Sequence, residues 1–140
     1  METKEEKIIN YSDNFFTETE RNIIFEYCTK AKYTHGEQDT NTTPVTGMIH
    51  NIPETEFIYK LISKTIFDRV EFIRNMKLYR MYVNCFAPSE NPYFHEDGEG
   101  YTFLYYPDPH MHMLNDGGET QFVMDGNIMG VFPTTNRMVI

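Results

Sequence analysis

The repeat of apolar residues shortens from about four to two near residue 78, a switch that puts helices first in the chain and strands after them. Ahead of it, Ile23, Ile24, Tyr27, Cys28 and Ala31 recur at helical spacing. Thr17 with Glu20 three residues later reads as a capping box, hydroxyl and carboxylate satisfying the first orphan amides of that helix. A second helix is expected to begin at Pro53, whose missing donor costs nothing in a first turn, with Glu54 and Glu56 favouring the positive end of its dipole. Its buried face comprises Ile58, Leu61, Ile62, Ile66, Val70 and Ile73. With 140 residues, 40% hydrophobic and 24% charged, the chain suits one soluble domain, residues 1–77 mainly helical support and 78–140 strands.

Residues 34–47, rich in Thr, Asn, Asp and Gly, read as a loop in which His35 is solvated. A short strand is expected over 45–49, and His50 behind it reads as a surface or capping residue. Over 78–86, one alternating set is Tyr79, Met81, Val83 and Cys85, suited to packing under helices; the other holds Leu78, Arg80, Tyr82, Asn84 and Phe86. Arg80, Tyr82 and Asn84 either face water or point inward and require polar partners, since an unpaired buried polar group costs about 1–3 kcal/mol. An aromatic strand is expected over 101–106. Asp125 with Gly126, flanked by strand-like runs at 119–124 and 127–132, is a strong hairpin signal.

Between these strands lies the segment 91–98, with His95 and Asp97 one residue apart. On an extended backbone alternate side chains share a side, so an imidazole nitrogen and a carboxylate oxygen can meet at one point. One imidazole and one carboxylate are two-thirds of the facial triad that holds non-haem Fe(II). The same three letters also occur as exposed polar turns.

In order, His95 and Asp97, then Thr102 and Tyr106 on the aromatic strand, Gly117, Gly118, Glu119 and Thr120, and lastly Pro133, Asn136 and Arg137 resemble the prolyl-4-hydroxylase-like branch of the Fe(II)/2-oxoglutarate dioxygenases. The resemblance covers roughly residues 78–140. It implies an α+β fold, with N-terminal helices packed on an antiparallel double-stranded β-helix, also called a jelly roll or cupin-like fold. It implies Fe(II) held by His95, Asp97 and a later histidine, 2-oxoglutarate as cosubstrate, ascorbate as auxiliary reductant, and hydroxylation of a C–H bond in a prolyl or other amino-acid side chain of a peptide. The cofactor carries the oxidation chemistry, while the protein orients and shields it. Tyr105 is the position that best matches a tyrosine touching the distal carboxylate of 2-oxoglutarate; Tyr82 and Asn84 are further candidates for that pocket. Glu119 belongs to the strand-turn pattern rather than to the metal.

The family places its second metal histidine and a basic 2-oxoglutarate anchor beyond residue 140, so the expectation is a truncated chain whose C-terminal strands are missing and which binds iron weakly through His95 and Asp97 and turns over poorly or not at all. Arg80 is a conceivable substitute anchor, because its planar fork can take a carboxylate at two points. Two other readings stay open: a non-catalytic cupin-like jelly-roll binding module, and a zinc site built from His95, Asp97 and either His110 or His112. The net charge of −9 would repel a phosphate backbone, so nucleic acid is not an expected partner. Cys28 and Cys85 read as two reduced, buried thiols of a reducing compartment. No apolar run reaches membrane-spanning length and no signal peptide is visible, which gives a cytoplasmic expectation. The half-exposed strand 137–140 presents an edge through which homo-oligomers could form.

Overall fold

The computed structural model describes residues 9–36, 38, 40–110 and 116–140. The described chain is α+β, with antiparallel sheets and two α-helices among the described residues. No helix among them is long and apolar enough to cross a membrane. In order the elements are β1 (Tyr11–Ser12), α1 (Glu18–Lys30), β2 (Thr34–His35), β3 (Met48–Asn51), α2 (Phe57–Arg69), β4 (Tyr82–Cys85), β5 (Leu104–Tyr106), β6 (Thr120–Met124), β7 (Asn127–Val131) and β8 (Arg137–Val139). The chain forms two compact units, one of residues 1–22 with 96–140 and one of residues 23–95. The division therefore does not follow the change of period at residue 78: β4 pairs with β3 and stays with the residues before it.

In the first unit, β8 lies between β1 and β5, and β6 with β7 forms a separate hairpin. The hairpin forms where expected because Asp125 (φ 49°) and Gly126 (φ 78°) both take the left-handed backbone, which matches the twist of the two strands it joins. The capping box is also in place: Glu20 N donates to Thr17 Oγ1 at 3.2 Å and Thr17 N to Glu20 Oε1 at 3.0 Å. Phe15, Phe16, Val131, Met138 and Val139 are the buried apolar residues of this unit.

One side-chain amide joins the two ends of that unit beside the β1–β8 pairing. Asn136 is buried at φ 63°. Its Oδ1 accepts from Phe16 N at 3.0 Å and from the Tyr105 hydroxyl at 2.6 Å, and its Nδ2 donates to Phe16 O at 2.6 Å. The side chain thus does for Phe16 what a neighbouring strand would do, supplying an acceptor and a donor to one residue's backbone. Beside it, Arg137 forks onto Asp13 (2.7 and 3.1 Å) and stacks 4.2 Å over the Tyr11 ring.

The hydrogen bond from Arg137 holds the Asp13 carboxyl below its ordinary value, against a smaller opposing effect of burial. A depressed carboxyl contributes stability that is complete above the ordinary carboxylate range, near pH 4, and is lost as pH falls through the folded value. Asp13 is 44% exposed, so the gain is about 1 kcal/mol or less. Urea unfolding at pH 7 and pH 3 is expected to show a smaller loss on acidification in Asp13→Asn than in the unchanged chain.

The second unit holds the sheet β2–β3–β4, with β3 in the middle, and α2. Ile24, Ile49, Ile52, Ile58, Ile66, Val70 and Ile73 are its buried core. Four of the six residues expected on the buried face of α2 and its continuation are buried; Leu61 and Ile62 are half-buried. Helix α2 starts later than proline suggested. Pro53 instead accepts from Glu56 N at 3.1 Å in a turn, and the helix begins at Phe57. The strand expected over 78–86 is confined to Tyr82–Cys85, since β3 offers only four partners, Met48 to Asn51. Tyr79, on the expected buried face, is 93% exposed.

Both cysteines are free, as expected, but only Cys28 is withdrawn from solvent; Cys85 is exposed. Burial pushes the Cys28 thiol up to about 11, and the thiolate is the reactive form. A disulfide reagent at pH 8 is expected to modify Cys85 at least about tenfold faster than Cys28, a pattern that Cys85→Ser would reduce to the slow phase alone.

Candidate functional site

The segment 91–98 has no strand pairing, so its side chains are set by local bonds and not by a sheet. His95 is the last residue of the second unit, and Asp97 is the second residue of the first unit's later segment, 96–140. His95 Nδ1 lies 3.0 Å from the Tyr93 carbonyl oxygen. A carbonyl only accepts, so Nδ1 carries the proton of this bond. Metal-binding histidines are commonly held this way, by a backbone carbonyl on the far nitrogen. Asp97 Oδ2 accepts from Thr102 Oγ1 at 3.0 Å, which orients the carboxylate by a residue two positions before β5. Both side chains are exposed. Gly98 (φ 89°) and Gly100 (φ 110°) supply the turn that follows.

The residues expected around 2-oxoglutarate fall in separate units. Arg80, Tyr82 and Asn84 are in the second, all exposed, with the Arg80 guanidinium 4.2 Å over the Tyr82 ring and donating to Asn51 Oδ1 at 3.2 Å. Tyr105 is in the first, its hydroxyl proton directed to Asn136. The Tyr106 hydroxyl meets Thr120 Oγ1, and burial raises its pKa. His110 is exposed and bonds through Nδ1 to Asp108 Oδ1 at 2.6 Å. His112 lies outside the described residues. Among the described residues, no three or more His, Cys, Asp or Glu side chains are grouped so as to hold a metal ion.

Sequence reasoning missed one polar cluster in the second unit. His50 Nε2 is 2.8 Å from the Tyr27 hydroxyl, which also donates to Glu56 Oε2 at 2.5 Å, and His50 Nδ1 is 3.0 Å from the Lys32 carbonyl oxygen. Burial, reinforced by the Glu56 carboxylate, raises the Tyr27 pKa, so the phenol is neutral and a poor base. Glu56 occupies the N-cap position of α2 without capping it, because its carboxylate is turned to Tyr27. The cluster clasps α1, β3 and the start of α2 together. Tyr27 sits in a helical apolar stripe, and its ring does belong there; only the distant partner of its hydroxyl escaped local pattern reading.

No family model, curated protein or solved structure matches the chain.

Proposed function

We propose that the chain is an Fe(II)- and 2-oxoglutarate-dependent dioxygenase of the prolyl-4-hydroxylase-like type, built on a double-stranded β-helix and acting on a C–H bond of an amino-acid side chain in a peptide. The observation that carries the proposal is the His95 ring held through Nδ1 by the Tyr93 carbonyl, the backbone support that metal-binding histidines commonly have. The ordered series of His95, Asp97, Thr102, Tyr106, Gly117, Gly118, Glu119, Thr120, Pro133, Asn136 and Arg137 supports it independently.

The donor types fit two of the three protein positions of such a centre: an imidazole bonded through Nδ1 to a backbone carbonyl and a carboxylate steered by a hydroxyl. Iron with 2-oxoglutarate would supply the oxidising power. The chain's part would be to present the His95 imidazole and the Asp97 carboxylate, each steered by its own local bond, with Arg80 as the guanidinium for the distal carboxylate of the cosubstrate.

Anaerobic Fe(II) titration followed by fluorescence tests this, since the chain has ten Tyr and no Trp. Saturable quenching that strengthens when 2-oxoglutarate is added is the expected result. A signal indifferent to 2-oxoglutarate would favour the cupin-like binding module instead.

A further inference from the structure

The first unit buries a cation that has no carboxylate partner among the described residues. Arg21, on the first turns of α1, is 9% exposed. Its Nη1 donates to the Pro107 carbonyl at 3.4 Å and its Nη2 to Asn22 Oδ1 at 2.6 Å; neither acceptor carries charge. Among the described residues no carboxylate is within ion-pair distance of it. Buried charges are paired as a rule, because withdrawing an ion from water costs several kcal/mol that only an opposite charge and full hydrogen bonding offset.

Arg21 lines an open cleft of about 390 Å³ together with Asn14, Phe16, Glu18, Pro109, Thr135 and Asn136. The other polar groups there divide clearly. Asn136 is committed to Phe16 and Tyr105, and the Thr135 hydroxyl donates to the Asp108 carbonyl at 2.6 Å. The donors remaining to a ligand are the guanidinium and the exposed Asn14 amide. Pro109, which is exposed, gives an apolar wall. Glu18 is the one acidic residue in the lining, exposed at its rim. It lies three residues before Arg21 on the same helix, close enough to reach, yet forms no ion pair with it.

We propose that this cleft binds a small aliphatic monocarboxylate, with its two oxygens on the Arg21 fork and its body against Pro109. The charge count selects the class: one guanidinium matches one carboxylate, whereas a phosphate dianion would add a second negative charge beside Glu18. A planar carboxylate also takes two parallel N–H bonds from a guanidinium, which an ammonium cannot offer. The site is independent of His95 and Asp97, so it stands or falls apart from the dioxygenase reading.

The test is a titration of the full chain, isotopically labelled, with sodium propionate against sodium chloride at equal ionic strength, following the Arg21 side-chain Nε–H resonance. Saturable shifts with propionate and none with chloride are expected. Arg21→Lys keeps the charge and loses the fork, so propionate binding is expected to weaken about tenfold. Glu18→Gln removes the rim charge and is expected to tighten it about threefold; this exposed position keeps the test decisive even if Arg21→Lys fails to fold. If Glu18 were instead the native partner of Arg21, Glu18→Gln would lower the melting temperature and leave propionate affinity no tighter. That result, unsaturated shifts, or tighter binding of inorganic phosphate than of propionate would overturn the proposal.

Discussion

Asn136→Ala is expected to destabilise the first unit by about 3–5 kcal/mol, measured by urea unfolding. The substitution strands the Phe16 amide and carbonyl, which Asn136 Oδ1 and Nδ2 now serve, and removes the acceptor of the Tyr105 hydroxyl. Each buried group left unpaired costs about 1–3 kcal/mol. Alanine would also have to hold φ 63°, where a β-carbon costs about 1–2 kcal/mol. Two further variants separate these causes. Asn136→Gly restores the backbone freedom but not the amide, so it is expected to recover only about 1 kcal/mol of the loss. Asn136→Asp keeps the acceptor and sets a carboxylate oxygen against the Phe16 carbonyl, and is expected to fall near alanine. A glycine variant as stable as the unchanged chain would show that conformation, not the amide, is what the position supplies.

His95→Ala is expected to weaken Fe(II) binding by at least about 100-fold, since even the loss of a group that merely supports a metal ligand costs 10–100-fold. The imidazole enters the proposed centre already oriented by the Tyr93 carbonyl. Asp97→Asn removes the negative charge while leaving an amide oxygen for Thr102 to bond, so a comparable loss there would identify charge rather than shape as the contribution of Asp97. Thr102→Val is expected to have a smaller effect, because it releases the carboxylate without removing it. Equal Fe(II) affinity in all four proteins would remove His95 and Asp97 from any metal site, including the zinc alternative.

Local signals were legible where the chain's near neighbours decide the structure. The Thr17 and Glu20 capping box, the Asp125 and Gly126 hairpin and the buried stripe of α2 each depend on residues within one or two turns of one another. The elements that misled were those whose length is set by a distant partner. The alternation over 78–86 is genuine in the sequence, but β3 provides pairing for only four residues of it. Asn136 stood out merely as part of a motif; its bond to a residue 120 positions away is invisible to any local pattern. Tyr105 was expected at the cosubstrate, and the structure directs its hydroxyl to Asn136. Arg21 did leave a trace that passed unused. It precedes Ile24 by three residues and Cys28 by seven, which puts a charge on the apolar stripe of α1, where a charge needs a reason.

The dioxygenase reading is tested most directly by succinate release from 2-oxoglutarate in the presence of Fe(II) and oxygen. The expected result is succinate formation that requires Fe(II) and falls to background in both His95→Ala and Asp97→Asn. Succinate formation undiminished in those variants, or no Fe(II)-dependent succinate from the unchanged chain, would contradict it.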